Sequence, residues 1–155
     1  MTDVMHYDGD VENPILEIPK PWGKEVLWAA SSHYAGKILF VKAGGQLSLQ
    51  YHDLKDETLF LIGGSARLYV HTVEGNEQVY EMHPERFYRI GNKNVHRLIA
   101  ITDSIVLECS TPHLNDVVRL EDVYDRPTQP SQDSIIQSVE YLGKLPIAVE
   151  AEIRG

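Results

Sequence analysis

From Lys24 to Ser110 the chain is broken into short runs bounded by turn-forming residues, and this punctuation constrains its fold more than any other feature. The runs are Glu25–Ala29, Lys37–Lys42, Gln46–His52, Thr58–Ile62, Ala66–Thr72, Glu77–Met82, Phe87–Ile90, His96–Ile101 and Ile105–Cys109. Segments such as Ala43-Gly44-Gly45, Gly63-Gly64-Ser65 and Gly91-Asn92-Lys93-Asn94 separate them. About nine strands at a spacing near ten residues, with no long helical period between them, predict an all-β sandwich or barrel rather than a parallel βαβ fold. Glu74-Gly75-Asn76 has the composition of a hairpin turn, because Gly75 and Asn76 tolerate positive φ.

The flanks read differently. Residues 1–21 carry acids and the prolines Pro14, Pro19 and Pro21, and are expected to be an extended lead-in. Residues 22–126 form the expected single domain, since 155 residues suffice for one buried core. Residues 127–155 read as an extension. Pro127 and Pro130 mark a linker, and Ser134 and Gln137 have capping-box spacing. Ile135, Ile136, Val139 and Leu142 share one side of a short predicted helix, and Leu145–Val149 is expected to be an edge or exchanged strand.

Charge narrows the partners. A formal net charge of −9 argues against nucleic acid and anionic membrane, which need a basic surface. It leaves a small anionic substrate open, because a few cations can dominate inside a cleft. Cys109 is the only cysteine, so no intrachain disulfide is available; its apolar surroundings predict a buried structural thiol. Neither a basic-then-apolar leader nor an apolar stretch near the ~18 residues of a membrane span is seen, and a reducing cytoplasm is expected.

The chemistry concentrates between Gln50 and Glu57. Gln50 and His52 are two apart and project from one strand face, and Glu57 follows after a turn-length gap. An amide oxygen, an imidazole and a carboxylate thus converge from neighbouring strands, a donor mixture suited to zinc, manganese, iron, nickel or cobalt rather than calcium. Later, His96, Leu98 and Ala100 share a face. A sandwich would bring His96 into the same cavity.

Gly44, Gln50, His52, Glu57 and Gly64 fit the spacing of the first cupin motif, with Gln50 in place of its first histidine. His96, after Gly91–Val95, resembles the histidine of the second motif, although that motif's Pro-x-Gly is absent and Ala100 replaces its asparagine. Lys20-Pro21-Trp22-Gly23, Ser48-Leu49-Gln50-Tyr51-His52 and the run Asp116–Arg126 are similar to the mannose-6-phosphate isomerase-like branch, which includes the C-terminal domains of mannose-1-phosphate guanylyltransferases. The resemblance covers about residues 20–126; Asp125 departs from the branch's usual glycine. It implies a jelly-roll cupin holding one divalent ion, zinc or manganese first, on Gln50, His52, Glu57 and His96.

By the same resemblance the expected activity is aldose–ketose isomerisation of a sugar or sugar phosphate. Alternatives are a non-catalytic cupin that binds a small sugar or metabolite and, ranked last, an iron oxygenase. Glu108, a carboxylate within an apolar strand, is the candidate acid–base residue. Ser48, Lys37, Lys42, Arg97 and Arg119 are candidate substrate contacts, cations being the usual partners of phosphate or carboxylate. Lys55-Asp56 reads as a solvated turn, and a homodimer formed through sheet edges is expected.

Overall fold

The computed structural model describes residues 11–72 and 74–129. Its strands are β1 (Leu16–Lys20), β2 (Gly23–Ala30), β3 (Ala35–Val41), β4 (Leu49–His52), β5 (Glu57–Gly63), β6 (Ala66–His71), β7 (Glu77–Glu81), β8 (Phe87–Ile90), β9 (His96–Ala100), β10 (Ser104–Ser110) and β11 (Val117–Glu121). They form two sheets, ordered β1-β2-β3-β10-β5-β8 and β11-β4-β9-β6-β7, with every pairing antiparallel. All nine predicted runs are strands; Gln46 joins its sheet through a single bridge to Ile99.

Two strands lie outside those runs. β1 falls in the proline-bearing lead-in, where Pro19 is tolerated because β1 is an edge strand. β11 pairs with β4 and brings Arg119 opposite Gln50. The predicted helix over residues 134–142 and the strand Leu145–Val149 lie outside the described residues.

The core is a layer of inward side chains between the sheets: Leu39 and Val41 from β3, Leu59 and Leu61 from β5, Val106 from β10, and Leu68 and Leu98 from the second sheet. Strict alternation produces it, since neighbours along each strand face opposite ways. The same alternation corrects one expectation. On β10 the inward places go to Val106 and Glu108, so Cys109 faces outward and is exposed rather than buried. Gly64 ends the first motif with φ 84°, and a Cβ there would lie 2.1 Å from the Asp103 carbonyl oxygen, so only glycine fits.

Candidate metal centre

Short-range geometry assembles the centre. β4 carries Gln50 and His52 inward, a turn of four residues follows, and β5 begins with Glu57. β9 lies beside β4 with His96 directly opposite Gln50. His52, Glu57 and His96 are all buried, with one ligand atom from each within 4.8 Å of the others. Glu57 Oε1 lies 2.9 Å from His96 Nε2 and 3.6 Å from His52 Nε2.

The remaining ring nitrogens decide what those atoms can do. His52 Nδ1 donates to the Asp116 carbonyl at 3.0 Å, and His96 Nδ1 donates to the Asn94 carbonyl at 2.9 Å. A carbonyl can only accept, so each neutral ring carries its proton on Nδ1 and turns a bare Nε2 lone pair toward Glu57. Two lone pairs facing a carboxylate call for a cation between them. Backbone anchoring of the far nitrogen is also how metal-bound histidines are oriented. The donor chemistry therefore fits a divalent metal.

Gln50 lies beside these three residues. Its Oε1 accepts from Ser48 Oγ at 2.6 Å, and its Nε2 lies 3.5 Å from His52 Nε2. Turning the amide over would set the oxygen beside the histidine, with the Ser48 hydroxyl accepting from the amide nitrogen. Ser48 is buried and acts on Gln50.

Asp116 holds the ligand turn in place. Its carboxylate accepts the backbone N–H groups of Asp53, Leu54 and Lys55 at 3.3, 2.7 and 2.9 Å. On the other side, Lys93 N–H donates to the His52 carbonyl at 2.6 Å. The expected solvated turn is thus half wrong, because Lys55 is only 4% exposed. Its ammonium bridges Glu57 Oε2 at 2.9 Å and Glu108 Oε2 at 3.2 Å. Glu57 consequently offers one oxygen to the histidines and the other to Lys55.

Charge on these groups follows from their neighbours. Burial pulls the Lys55 ammonium down, but Glu108, Glu57 and Glu25 outweigh it and keep the lysine protonated well above its ordinary range. Burial pushes Glu57 up, yet the Lys55 ammonium beside it holds it well below the usual carboxylate range. Glu108 goes the other way: burial and the charge of Glu57 outweigh Lys55 and raise it to about 7.

A cavity of about 130 Å³ opens from Gln50 and His52 toward β1, β2 and β3. Glu108 lines it, as do Lys37 and Arg119. Lys37 pairs with Glu25, which also holds Lys20 at 3.3 Å. Burial raises Glu25, but Lys37 and Lys20 prevail and lower it to about 2. Arg119 Nη1 donates to the Pro127 carbonyl at 3.0 Å, and its buried Nε has no hydrogen-bond partner. Arg126, held by Asp122 at 2.8 Å, lines the same cavity.

The other two candidates stand elsewhere. Lys42 borders a separate groove with Gly23 and Phe40, and Arg97 lies on the outer face of β9, 3.3 Å from Glu121. Lys20, Glu25 and Arg126, none of them a candidate site residue in the sequence, also line the cavity, as does Lys55, which the sequence placed in a solvated turn. Glu25 and Lys37 carry the signal that marked Glu108, a charge amid apolar strand residues.

Comparison with known proteins agrees with this fold. Residues 9–122 match the family model described as mannose-6-phosphate isomerase C-terminal. The chain is a cupin of that family. This cupin is 30% identical over 125 residues to the alginate biosynthesis protein AlgA of Pseudomonas putida, an alignment covering 77% of the chain and 25% of AlgA. The chain thus spans about a quarter of the length of that relative. Among solved structures, the fold resembles oxalate decarboxylase from Bacillus subtilis (TM-score 0.62, 16% identity, 92% of this chain and 38% of that one). It also resembles the capsular polysaccharide assembling protein CapF from Staphylococcus aureus (TM-score 0.59, 15% identity, 73% and 34%).

Proposed function

We propose that this cupin is a metal-dependent isomerase that interconverts aldose and ketose forms of a sugar or sugar phosphate. One observation carries the reading: a single cavity joins the metal-facing Gln50 and His52 to the buried carboxylate Glu108 and to the cations Lys37 and Arg119. A bound divalent ion, held by Gln50, His52, Glu57 and His96, supplies Lewis-acid polarisation of a substrate carbonyl. Zinc, manganese, iron, nickel and cobalt all suit the donors.

The chain's own residues supply the rest. Glu108 takes a proton from the hydroxyl-bearing carbon beside the carbonyl and returns it to the carbonyl carbon, while the hydroxyl proton passes to the former carbonyl oxygen, so the exchange needs no external oxidant or reductant. Lys55 fixes the Glu108 carboxylate at 3.2 Å and keeps it oriented toward the cavity side of β10. Lys37 and Arg119 receive the anionic end of the substrate, and Ser48 orients the Gln50 amide.

A second reading, a binding cupin for a small sugar or metabolite, draws on Lys55 itself, which already occupies an oxygen of Glu108. Metal-loaded protein assayed against aldoses, ketoses and their phosphates, mannose 6-phosphate among them, separates the two. Isomerisation that falls about 10²- to 10⁴-fold in Glu108→Gln, with metal content unchanged, supports the isomerase. Saturable binding without turnover on any pair gives the binding protein instead.

A further inference from the structure

Four buried side-chain polar atoms among the described residues have no hydrogen-bond partner: Trp22 Nε1, Arg119 Nε, His71 Nε2 and Arg97 Nε. They divide evenly between two cavities. Trp22 and Arg119 line the cavity beside the metal centre. His71 and Arg97 line a separate groove of about 370 Å³. Buried polar groups are nearly always paired, so a cluster of unpaired ones marks a surface shaped for polar atoms from outside the chain.

Register sets this groove on the reverse of the metal-bearing sheet. Leu49 and Arg97 are the outward neighbours of Gln50 and His96, which face the metal centre. Tyr69 stands opposite Arg97 on β6, His71 opposite Glu77 on the edge strand β7, and Glu121 opposite Leu49 on β11. Leu49 and Ile99 give the groove an apolar base. Its polar groups are only partly engaged. Arg97 Nη2 lies 3.3 Å from the Glu121 carboxylate, which leaves the Nε–H unused. His71 Nε2 lies 3.4 Å from Glu77 Oε2 with no hydrogen bond between them. A few convergent polar groups over an apolar base, in a space of ~300–1,000 Å³, are the makings of a small-molecule site.

Charge decides the class of ligand. Glu77 and Glu121 set two negative charges against the single positive charge of Arg97, so phosphate and carboxylate are repelled. The metal-side cavity has the opposite balance, with Lys20, Lys37, Lys55, Arg119 and Arg126 against Glu25 and Glu108. An occupant of the groove must offer an acceptor oxygen to Arg97 Nε–H and donors to the two carboxylates while carrying no charge. Sugar hydroxyls do both, and they satisfy His71 Nε2 in either tautomer. The C–H face of a pyranose also suits the Tyr69 ring.

We propose that the groove on the outer face of the five-stranded sheet binds a neutral monosaccharide unit, at a site separate from the metal cavity. Nuclear magnetic resonance of the isotope-labelled full chain, titrated with mannose, glucose and galactose, tests this. At least one of these sugars is expected to shift the Arg97 Nε–H resonance saturably at millimolar concentration, with and without bound metal. Inorganic phosphate is expected to leave that resonance in place. Arg97→Ala, followed at the Tyr69 backbone amide, is expected to weaken binding at least about tenfold. His71→Ala repeats the test if Arg97→Ala fails to fold. No saturable shift with any of the sugars overturns the proposal, as do shifts confined to the metal cavity. Binding undiminished in the folded variants overturns it too, and a phosphate-induced shift of Arg97 would make the groove an anion site instead.

Discussion

The two ends of the cavity are built on different principles. At the metal end, Gln50, His52, Glu57 and His96 come from β4, β5 and β9, and backbone carbonyls orient both histidines. At the cation end, Lys20, Glu25 and Lys37 come from β1, β2 and β3, and the side chains hold one another. Backbone anchoring holds the two histidines whatever the charge around them. Mutual ion pairing makes the cation end depend on charge, so it is the end that should respond to acid. Lys55 and Glu108 join the two.

The sharpest way to break this comparison is at the metal end. His52→Ala removes a ligand from a scaffold held by backbone contacts, so metal affinity should fall by more than the ten- to hundredfold that outer-shell changes cost. The circular dichroism spectrum should stay the same. Metal occupancy by elemental analysis checks both halves of the idea, since retained metal removes His52 from the site.

Lys55→Ala strikes the join. It leaves Glu57 and Glu108 buried side by side with no cation, and the loss of stability in urea should be about 3–5 kcal/mol. A loss below about 1 kcal/mol would mean that the bridge contributes little.

Acid tests the cation end. Glu25 has a folded pKa of about 2 against an ordinary 4.5, so its contribution is present above the unfolded value and is lost as pH falls from about 4.5 toward 2. The shift corresponds to on the order of 3 kcal/mol. Glu25→Gln should flatten the stability–pH curve in that window, and a curve parallel to wild type would show that other carboxylates set the acid limit.

Arg119→Ala should have the smallest effect. It should weaken an anionic sugar about tenfold while leaving the uncharged analogue nearly unchanged. Equal losses by calorimetry would remove Arg119 from anion recognition.

Much of the metal end was legible because its residues are close in sequence. Gln50 to Glu57 spans one strand, one turn and one strand start, so alternation alone sets three donors on a common side. His96 needed the family resemblance, because nothing local says that β9 will lie beside β4. Lys55 was misread for a related reason. A lysine between turn residues looks solvated unless Glu108, more than fifty positions later, is known to approach it. β1 and β11 were overlooked because proline masks the first and no alternating apolar pattern marks the second.

The sequence by itself determined the strand punctuation and the β-sandwich class, and it set Gln50, His52 and Glu57 on a common side, all of which follow from spacing and alternation. Only the tertiary structure decided that Lys55 is buried between two carboxylates, that Glu25 ties Lys20 to Lys37, and that Cys109 faces solvent while Glu108 faces the cavity. Alternation separates the two faces of a strand, but strand order and sheet stacking choose which face is covered and what stands across from it. Those choices are made by contacts between residues distant in the chain, and local pattern carries no record of them.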